Sequence, residues 1–277
     1  TVDSLADVVV ESSTLGGNDS VLANINGYSL SGNTEWLILG STATTGTGNE
    51  LANTLIGNLL ANTLNGGAGI DSMVGDFGND FYFVDSLADK VIETLGGGTD
   101  SVLANVSGYT LAGNTEWLIL GSSATTGTGN SLGNTLIGNS LDNTLNAGAG
   151  LDSMAGGKGD DVYIVTDAEN AIFETSDGDV DTVISSASFT LVQNLEKLIL
   201  TGIAVAGFGN SVANTIIGNS IANTLDGGGG GDSLVGEAGN DYYILNSLSD
   251  QVVEASLNGG IDSVLSKITG YTLDDYV

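Results

Sequence analysis

The chain has no cysteine, no proline, no histidine and no arginine. Its basic residues are Lys90, Lys158, Lys197 and Lys267, set against 34 Asp and Glu, which leaves a formal charge of −30. Each absence removes a class of function. Without cysteine there is no disulfide frame, and without cysteine or histidine no ordinary zinc, haem or iron–sulfur centre. A Ser-His-Asp triad is excluded with the histidine. Nucleic acid is excluded as a partner, because binding it needs lysine or arginine to displace counterions. No apolar run approaches the ~18 residues of a membrane-spanning helix; the longest candidate, Trp36-Leu37-Ile38-Leu39, is the size of a strand. Thr1 follows no signal-like segment.

The acidity is not that of a disordered chain. Hydrophobic residues make up 41% and charged residues only 14%, so a core can be buried. What calls for explanation is how so many carboxylates coexist with so few cations. Hard cations bound through oxygen are the natural neutralisers.

The next feature is repetition. Val2-Asp3-Ser4-Leu5-Ala6-Asp7 returns as Val84-Asp85-Ser86-Leu87-Ala88-Asp89, and the stretch Tyr28 to Leu39 returns as Tyr109 to Leu120. Glu35, Glu116 and Glu196 mark a unit of about 81 residues (116 − 35 = 81). Units fall at approximately 1–83, 84–164, 165–244 and a partial 245–277, expected as one continuous solenoid over 1–277. Both ends fall inside a unit, with Tyr271-Thr272-Leu273 matching Tyr109-Thr110-Leu111 and Val277 stopping where the next unit places its Glu. The chain therefore reads as an excerpt of a longer array.

Inside each unit lies a period of nine. Nines begin at Gly48, Gly57, Gly66 and Gly75, again at Gly129, Gly138, Ala147 and Gly156, and again at Gly209, Gly218, Gly227 and Gly236. Position one is small, position six is Asn or Asp, and position eight is apolar or aromatic (Leu55, Leu64, Met73, Tyr82). Glycine at this density costs about 1 kcal/mol per site in a helix, whereas one glycine-rich turn plus one short strand accommodates it. Position eight then points inward and positions seven and nine outward. Two nines make one coil, stacked coils pair parallel strands, and the segments between glycine blocks are expected to form wider coils. The fold class that follows is all-β, a parallel β-roll or β-helix solenoid. Absence of proline agrees, since a central strand cannot give up its N–H.

The third and fourth nines sharpen to Gly66-Gly67-Ala68-Gly69-Ile70-Asp71 and Gly75-Asp76-Phe77-Gly78-Asn79-Asp80, with counterparts ending at Asp152, Asp161, Asp232 and Asp241. This pattern resembles the repeats-in-toxin, or haemolysin-type, calcium-binding family, whose nonapeptide builds a calcium β-helix. The resemblance implies calcium as the cofactor, several ions per chain. It implies glycine-loop ligands at Gly67, Gly69, Gly78, Gly148, Gly150, Gly157, Gly159, Gly228, Gly230 and Gly239, with the Asp at position six. Calcium takes six to eight oxygens, more than one turn supplies, so two stacked turns must enclose an ion. Asp71 is then expected beside Asp89, with Asp152, Asp232 and Asp250 acting likewise and Asp80, Asp161 and Asp241 on the opposite edge. Asn170 stands where its counterparts are Asp89 and Asp250, which makes the third unit's site there doubtful, with Asp167 or Glu169 as substitutes.

Other positions carry blander readings. Asn53, Asn62, Asn134, Asn143, Asn214 and Asn223 occupy position six of the first two nines and read either as an amide ladder or as neutral ligands. Glu93, Glu174 and Glu254 recur in register, as do Asp19, Asp100, Asp181 and Asp262; recurrence in every unit points to architecture or calcium rather than a catalytic pair, and no enzyme is expected. Glu35, Glu116 and Glu196 are read as turn caps or cation ligands. Trp36 and Trp117 are expected in core or coil-edge packing, and the Thr42 to Thr47 run in an exposed turn.

These readings converge on a calcium-dependent extracellular structural protein, such as a surface fibre, layer or stalk, with copies of itself as partner. The family likeness implies bacterial export by a one-step, type I-like channel. The alternatives are an accessory folding and secretion module of a toxin or hydrolase, and an adhesin that binds glycan or ice.

Overall fold

The computed structural model describes residues 1–11, 17–176, 178–254 and 260–272; the match at Leu273 and the truncated unit end at Val277 lie outside them. Among the described residues every regular element is a short strand and none is a helix. The chain divides into two units, Thr1–Ile137 and Gly138–Val277. Each is a parallel β-solenoid.

In the first unit the strands up to Ala104 alternate between two sheets, and Tyr109–Thr110 and Thr126–Thr128 begin a third. One stacks Ser20–Ala23, Trp36–Leu39, Thr54–Ile56, Ser72–Val74 and Lys90–Ile92. The other stacks Tyr28–Ser29, Thr45–Thr47, Thr63–Asn65, Phe81–Val84, Ser101–Ala104, Trp117–Leu120 and Thr135–Ile137. In the second unit one sheet runs through Thr144–Asn146, Val162–Val165, Thr182–Ser185, Lys197–Leu200, Thr215–Ile217, Ser233–Val235 and Gln251–Val253. Another holds Phe189–Thr190, Ala206–Phe208, Thr224–Asp226, Tyr242–Leu245 and Ser263–Ser266.

Register follows the nine-residue frame. Thr54 pairs with Ser72, Leu55 with Met73 and Ile56 with Val74, so each nine meets the second nine after it. Strands of three residues bury only their middle side chain: Leu55, Leu64, Met73, Leu145 and Leu225 are fully buried between half-buried neighbours. Within the glycine blocks the core is thus built of position-eight side chains, one per nine. With so few residues per layer, a lost side chain has little to collapse onto it. Leu145→Ala is expected to cost about 2–5 kcal/mol, the range for a buried Leu that leaves a cavity, read from denaturant unfolding of the calcium-loaded chain.

The segments between glycine blocks depart from the frame in a paired way. From Phe81 to its partner Ser101 the coil takes 20 residues (101 − 81), and from Ser101 to its partner Trp117 it takes 16 (117 − 101). The expected wide coil is therefore followed by a narrow one, and the two together restore the advance of two ordinary coils. An 81-residue unit is four and a half coils, so equivalent strands change sheet from one unit to the next: Trp36–Leu39 lies in one sheet and Trp117–Leu120 in the other.

Two local expectations are corrected here, and a third, the capping of turns by Glu, is met. Trp36 and Trp117 do not enter the core; they take the outward positions of strands whose buried residues are Leu37, Leu39, Leu118 and Leu120, and Trp117 is 39% exposed. Of the Thr run only Thr42 lies in an exposed turn; Thr45–Thr47 is a strand. Gly46 takes its inward position, where a Cβ would come within 2.7 Å of Leu37 Cδ2, so the glycine makes room for the larger leucines of the neighbouring layer. Glu35, Glu116 and Glu196 cap turns, each accepting the backbone N–H of Asp19, Asp100 or Asp181 at 2.8–3.0 Å.

Candidate metal centres

Two kinds of turn join these strands. In the first two nines of each block, the position-two Asn donates its backbone N–H to the side-chain oxygen of the position-six Asn. The six bonds, from Asn49, Asn58, Asn130, Asn139, Asn210 and Asn219, span 2.6–2.7 Å. The position-two amide nitrogen reaches back to the coil before it, as Asn49 Nδ2 does to Ser31 O and Thr34 O at 2.8 Å. These amides bracket their own turn and tie it to the preceding backbone. They are architecture, although not the rung-to-rung amide ladder of the sequence reading.

The third and fourth nines lack that bracket and turn through positive φ. All ten glycines named from the family likeness lie there, from φ +81° at Gly228 to +141° at Gly239, joined by Asp76 and Glu237 at position two. Stacking is close. A Cβ on Gly69 would lie 2.5 Å from Leu51 O, and one on Gly78 would collide with Leu60 O. Gly78→Ala is expected to cost about 1–3 kcal/mol, the scale of a residue forced into a disallowed backbone region. Gly113, around which a Cβ meets nothing, is the control, and Gly113→Ala should stay within about 0.5 kcal/mol. Thermal unfolding of both variants in calcium compares them.

Position six forms columns along the turn edges. Asp71 Oδ1 accepts the N–H of Asn53 at 2.7 Å, and Asp89 Oδ1 accepts that of Asp71 at 3.0 Å. On the opposite edge Asn62 donates to Asp80, Asp80 to Asp100 and Asp100 to Glu116, at 2.6–2.8 Å. The second unit repeats this through Asn143, Asp161, Asp181 and Glu196, and through Asn214, Asp232 and Asp250. Each link spends one carboxylate oxygen.

The other oxygen is what tests the fit to a metal. Asp71, Asp80, Asp232 and Asp241 are each 1% exposed, yet no donor reaches their Oδ2 atoms. Those atoms occupy the space a Cβ would fill on Gly66, Gly75, Gly227 and Gly236, the position-one glycines of their own turns. Burial lifts the carboxyls of Asp71, Asp80 and Asp232 to about 6, with the neighbouring charges of Asp89, Asp100 and Asp250 adding to it and the accepted N–H opposing it. A buried anionic oxygen without a partner carries a desolvation cost that a cation removes. A donor set made wholly of oxygen suits a hard cation such as calcium. The residues fit the ion.

Asp89 and Asp250 reach the expected edge, but the structure gives them another task. Besides the N–H of the preceding column member, Asp89 Oδ2 accepts Asp85 N and Ser86 N, and Asp250 Oδ2 accepts Asn246 N and Ser247 N. They close an Asx-type turn. Asn170 keeps the column bond from Asp152 N at 3.0 Å, while its amide nitrogen is buried without an acceptor. The residues outside the expected ligand set are Glu93, Asp100, Glu174, Asp181, Glu254 and Asp262, whose oxygens meet those of Asp80, Asp161 and Asp241 in three clusters. Their recurrence is visible in the sequence; their convergence is not, because each trio spans about 20 residues. A cavity of about 420 Å³ between Lys90–Ile92 and Tyr109–Thr110 is lined by none of these cluster residues.

A model of the RTX calcium-binding nonapeptide repeat (4 copies) matches residues 47–82, 56–90, 128–163 and 208–244. Two curated proteins of Rhizobium meliloti (strain 1021), the endo-1,3-1,4-beta-glycanases EglC and ExsH, are each 39% identical to this chain over 64 residues. The likeness covers 23% of this chain and 14% of each glycanase.

Proposed function

This chain carries repeats of the RTX calcium-binding nonapeptide family, and from that premise we propose that it is a calcium-folded structural segment of an extracellular repeat protein. The observation that carries the reading is that no donor reaches the buried Oδ2 atoms of Asp71, Asp80, Asp232 and Asp241, in turns whose glycines sit at positive φ. The ligand set we propose is Asp71, Asp152 and Asp232 with Gly67, Gly69, Gly148, Gly150, Gly228 and Gly230 on one turn of each block. Asp80, Asp161 and Asp241 with Gly78, Gly157, Gly159 and Gly239 form the set on the next. Asp89 and Asp250 act from the neighbouring turn, through lone pairs not used in capping.

Calcium, when bound, supplies the positive charge that four lysines cannot. The chain's own residues do the rest. Positive-φ glycines let turns stack without Cβ collisions, position-six carboxylates hold successive coils together through backbone N–H groups, and position-eight side chains exclude water between the sheets. Extracellular calcium modules bind at ~10⁻⁴–10⁻³ M, far above cytosolic calcium, so the segment stays unfolded before export and folds outside. The nine-residue frame passes from Gly129–Ile137 to Gly138–Asn146 without insertion, which supports one continuous solenoid over 1–277. The near-constant 81-residue unit supports a fibre, layer or stalk built from further copies. Electron microscopy of the whole secreted protein in calcium should show elongated or layered particles; isolated globules count against the fibre.

A second reading is favoured by the curated relatives: a folding and export module beside a catalytic domain. The 64 matched residues are a small part of two glycanases. Mass and sequence of the intact polypeptide separate the two readings, since further 81-residue units support the array and a hydrolase domain supports the module.

A further inference from the structure

Asp80, Glu93 and Asp100 bring carboxylate oxygens within 4.8 Å of one another, and so do Asp161, Glu174 and Asp181, and Asp241, Glu254 and Asp262. We infer that these trios form a second class of calcium site, tighter than the other glycine-turn sites, in which the position-six Asp of the fourth nine is joined by two carboxylates that the nonapeptide repeat does not contain. The inference rests on the proposed calcium reading of this chain and adds three ions to it.

The repeat model ends at residues 90, 163 and 244, before Glu93, Glu174 and Glu254 and before the third carboxylate of each trio. Two of the three carboxylates in the first trio are closed off from water. Asp80 is 1% exposed and Asp100 fully buried, and each has an Oδ2 that no donor reaches. Asp241 repeats the arrangement, and Glu254 likewise has a buried oxygen without a donor. Glu93 is held from both sides, by the Tyr82 hydroxyl donating to Oε1 and by Thr94 N–H donating to Oε2 at 3.1 Å. Tyr163 with Glu174 and Tyr243 with Glu254 keep the same pairing.

Space has been left for the cluster. A Cβ on Gly75 would meet Tyr82 Oη, Asp80 Oδ2 and Glu93 Oε1 together, and Gly236 clears the same room for Tyr243 and Asp241. Three adjacent carboxylates, two of them with a buried oxygen that no donor reaches, are stable as ions only around a cation, and ligand charge count sets calcium affinity. The position explains the need. Each trio spans an enlarged coil, 20 residues from Phe81 to Ser101 and from Val162 to Thr182 and 21 from Tyr242 to Ser263 (263 − 242), where two or three extra residues must be gathered into the stack.

The experiment is equilibrium calcium binding to the full chain, beside Glu93→Gln, Glu174→Gln and Glu254→Gln combined. The expected wild-type isotherm has a tight class of three ions and a weaker class. In the triple variant the tight class should weaken by roughly ten-fold or more while the weaker class and calcium-dependent folding persist. Unchanged tight binding in a folded variant overturns the trios. A wild-type chain that binds calcium with no distinct class of three overturns them too, whereas one that binds no calcium overturns the calcium reading itself. Should the triple variant fail to fold, Tyr82→Phe, Tyr163→Phe and Tyr243→Phe combined keep the ring packing and every carboxylate. With substoichiometric terbium in place of calcium, tyrosine-sensitised emission should fall by more than half in this variant. Equal emission in both proteins places the tightest ions elsewhere and overturns the proposal.

Discussion

Excess chelator at neutral pH is expected to abolish the β-sheet circular dichroism of this chain, and millimolar calcium to restore it. The size of the effect follows from charge. Two carboxylates about 5 Å apart repel by about 3 kcal/mol at an effective dielectric constant of 20. Each trio holds three such pairs, and a domain's whole stability is about 5–15 kcal/mol. Mutual repulsion in the trios and position-six columns is therefore as large as the stability it must be subtracted from. Calcium acts in the other direction. At ten times the dissociation constant, each ion that binds only the folded chain contributes about 1.4 kcal/mol, and several act together. A sigmoidal calcium titration of the circular dichroism signal is the expected form. Full β-structure in excess chelator would falsify the calcium-folding proposal.

Acid is expected to replace calcium in part. The carboxyls of Asp71, Asp80 and Asp232 are raised by burial from 3.8 to about 6 in the folded chain, and Glu93 from 4.5 to about 7. A group whose folded pKa lies above its unfolded value favours the folded state below the unfolded pKa and loses that contribution as pH rises through the folded one. Between pH 7.5 and about 5 these groups take up protons when folded and not when unfolded, so chelated protein should regain β-structure as pH falls through that window. The same protons compete for the oxygens that bind calcium, so the calcium midpoint should move to higher concentration over the same range. Circular dichroism at fixed chelator, and calcium titrations at pH 7.5 and 5.5, measure the two trends. If chelated protein lost structure on acidification, the buried carboxylates would not be what opposes folding.

The nine-residue period by itself determined the fold class and the inward residue of each three-residue strand, and the resemblance to the calcium-binding repeat singled out glycines that turn through positive φ. These are local consequences: position eight is the one site that is apolar or aromatic in every nine, and glycine is the residue that tolerates positive φ with a backbone oxygen against it. The split between Asn turns and Gly-Asp turns was legible for the same reason, since Asn49 and Asn53 bond inside one turn. Only the stacking decided the remainder. Whether Asp89 caps a turn or is left unpaired depends on the N–H groups of Asp85 and Ser86 that the turn brings to it. Trp117 faces outward because Leu118 and Leu120 hold the inward alternation of its strand. The meeting of Asp80, Glu93 and Asp100 requires a 20-residue coil closed by a 16-residue one, a change of path set by how neighbouring layers pair rather than by any run of residues within them.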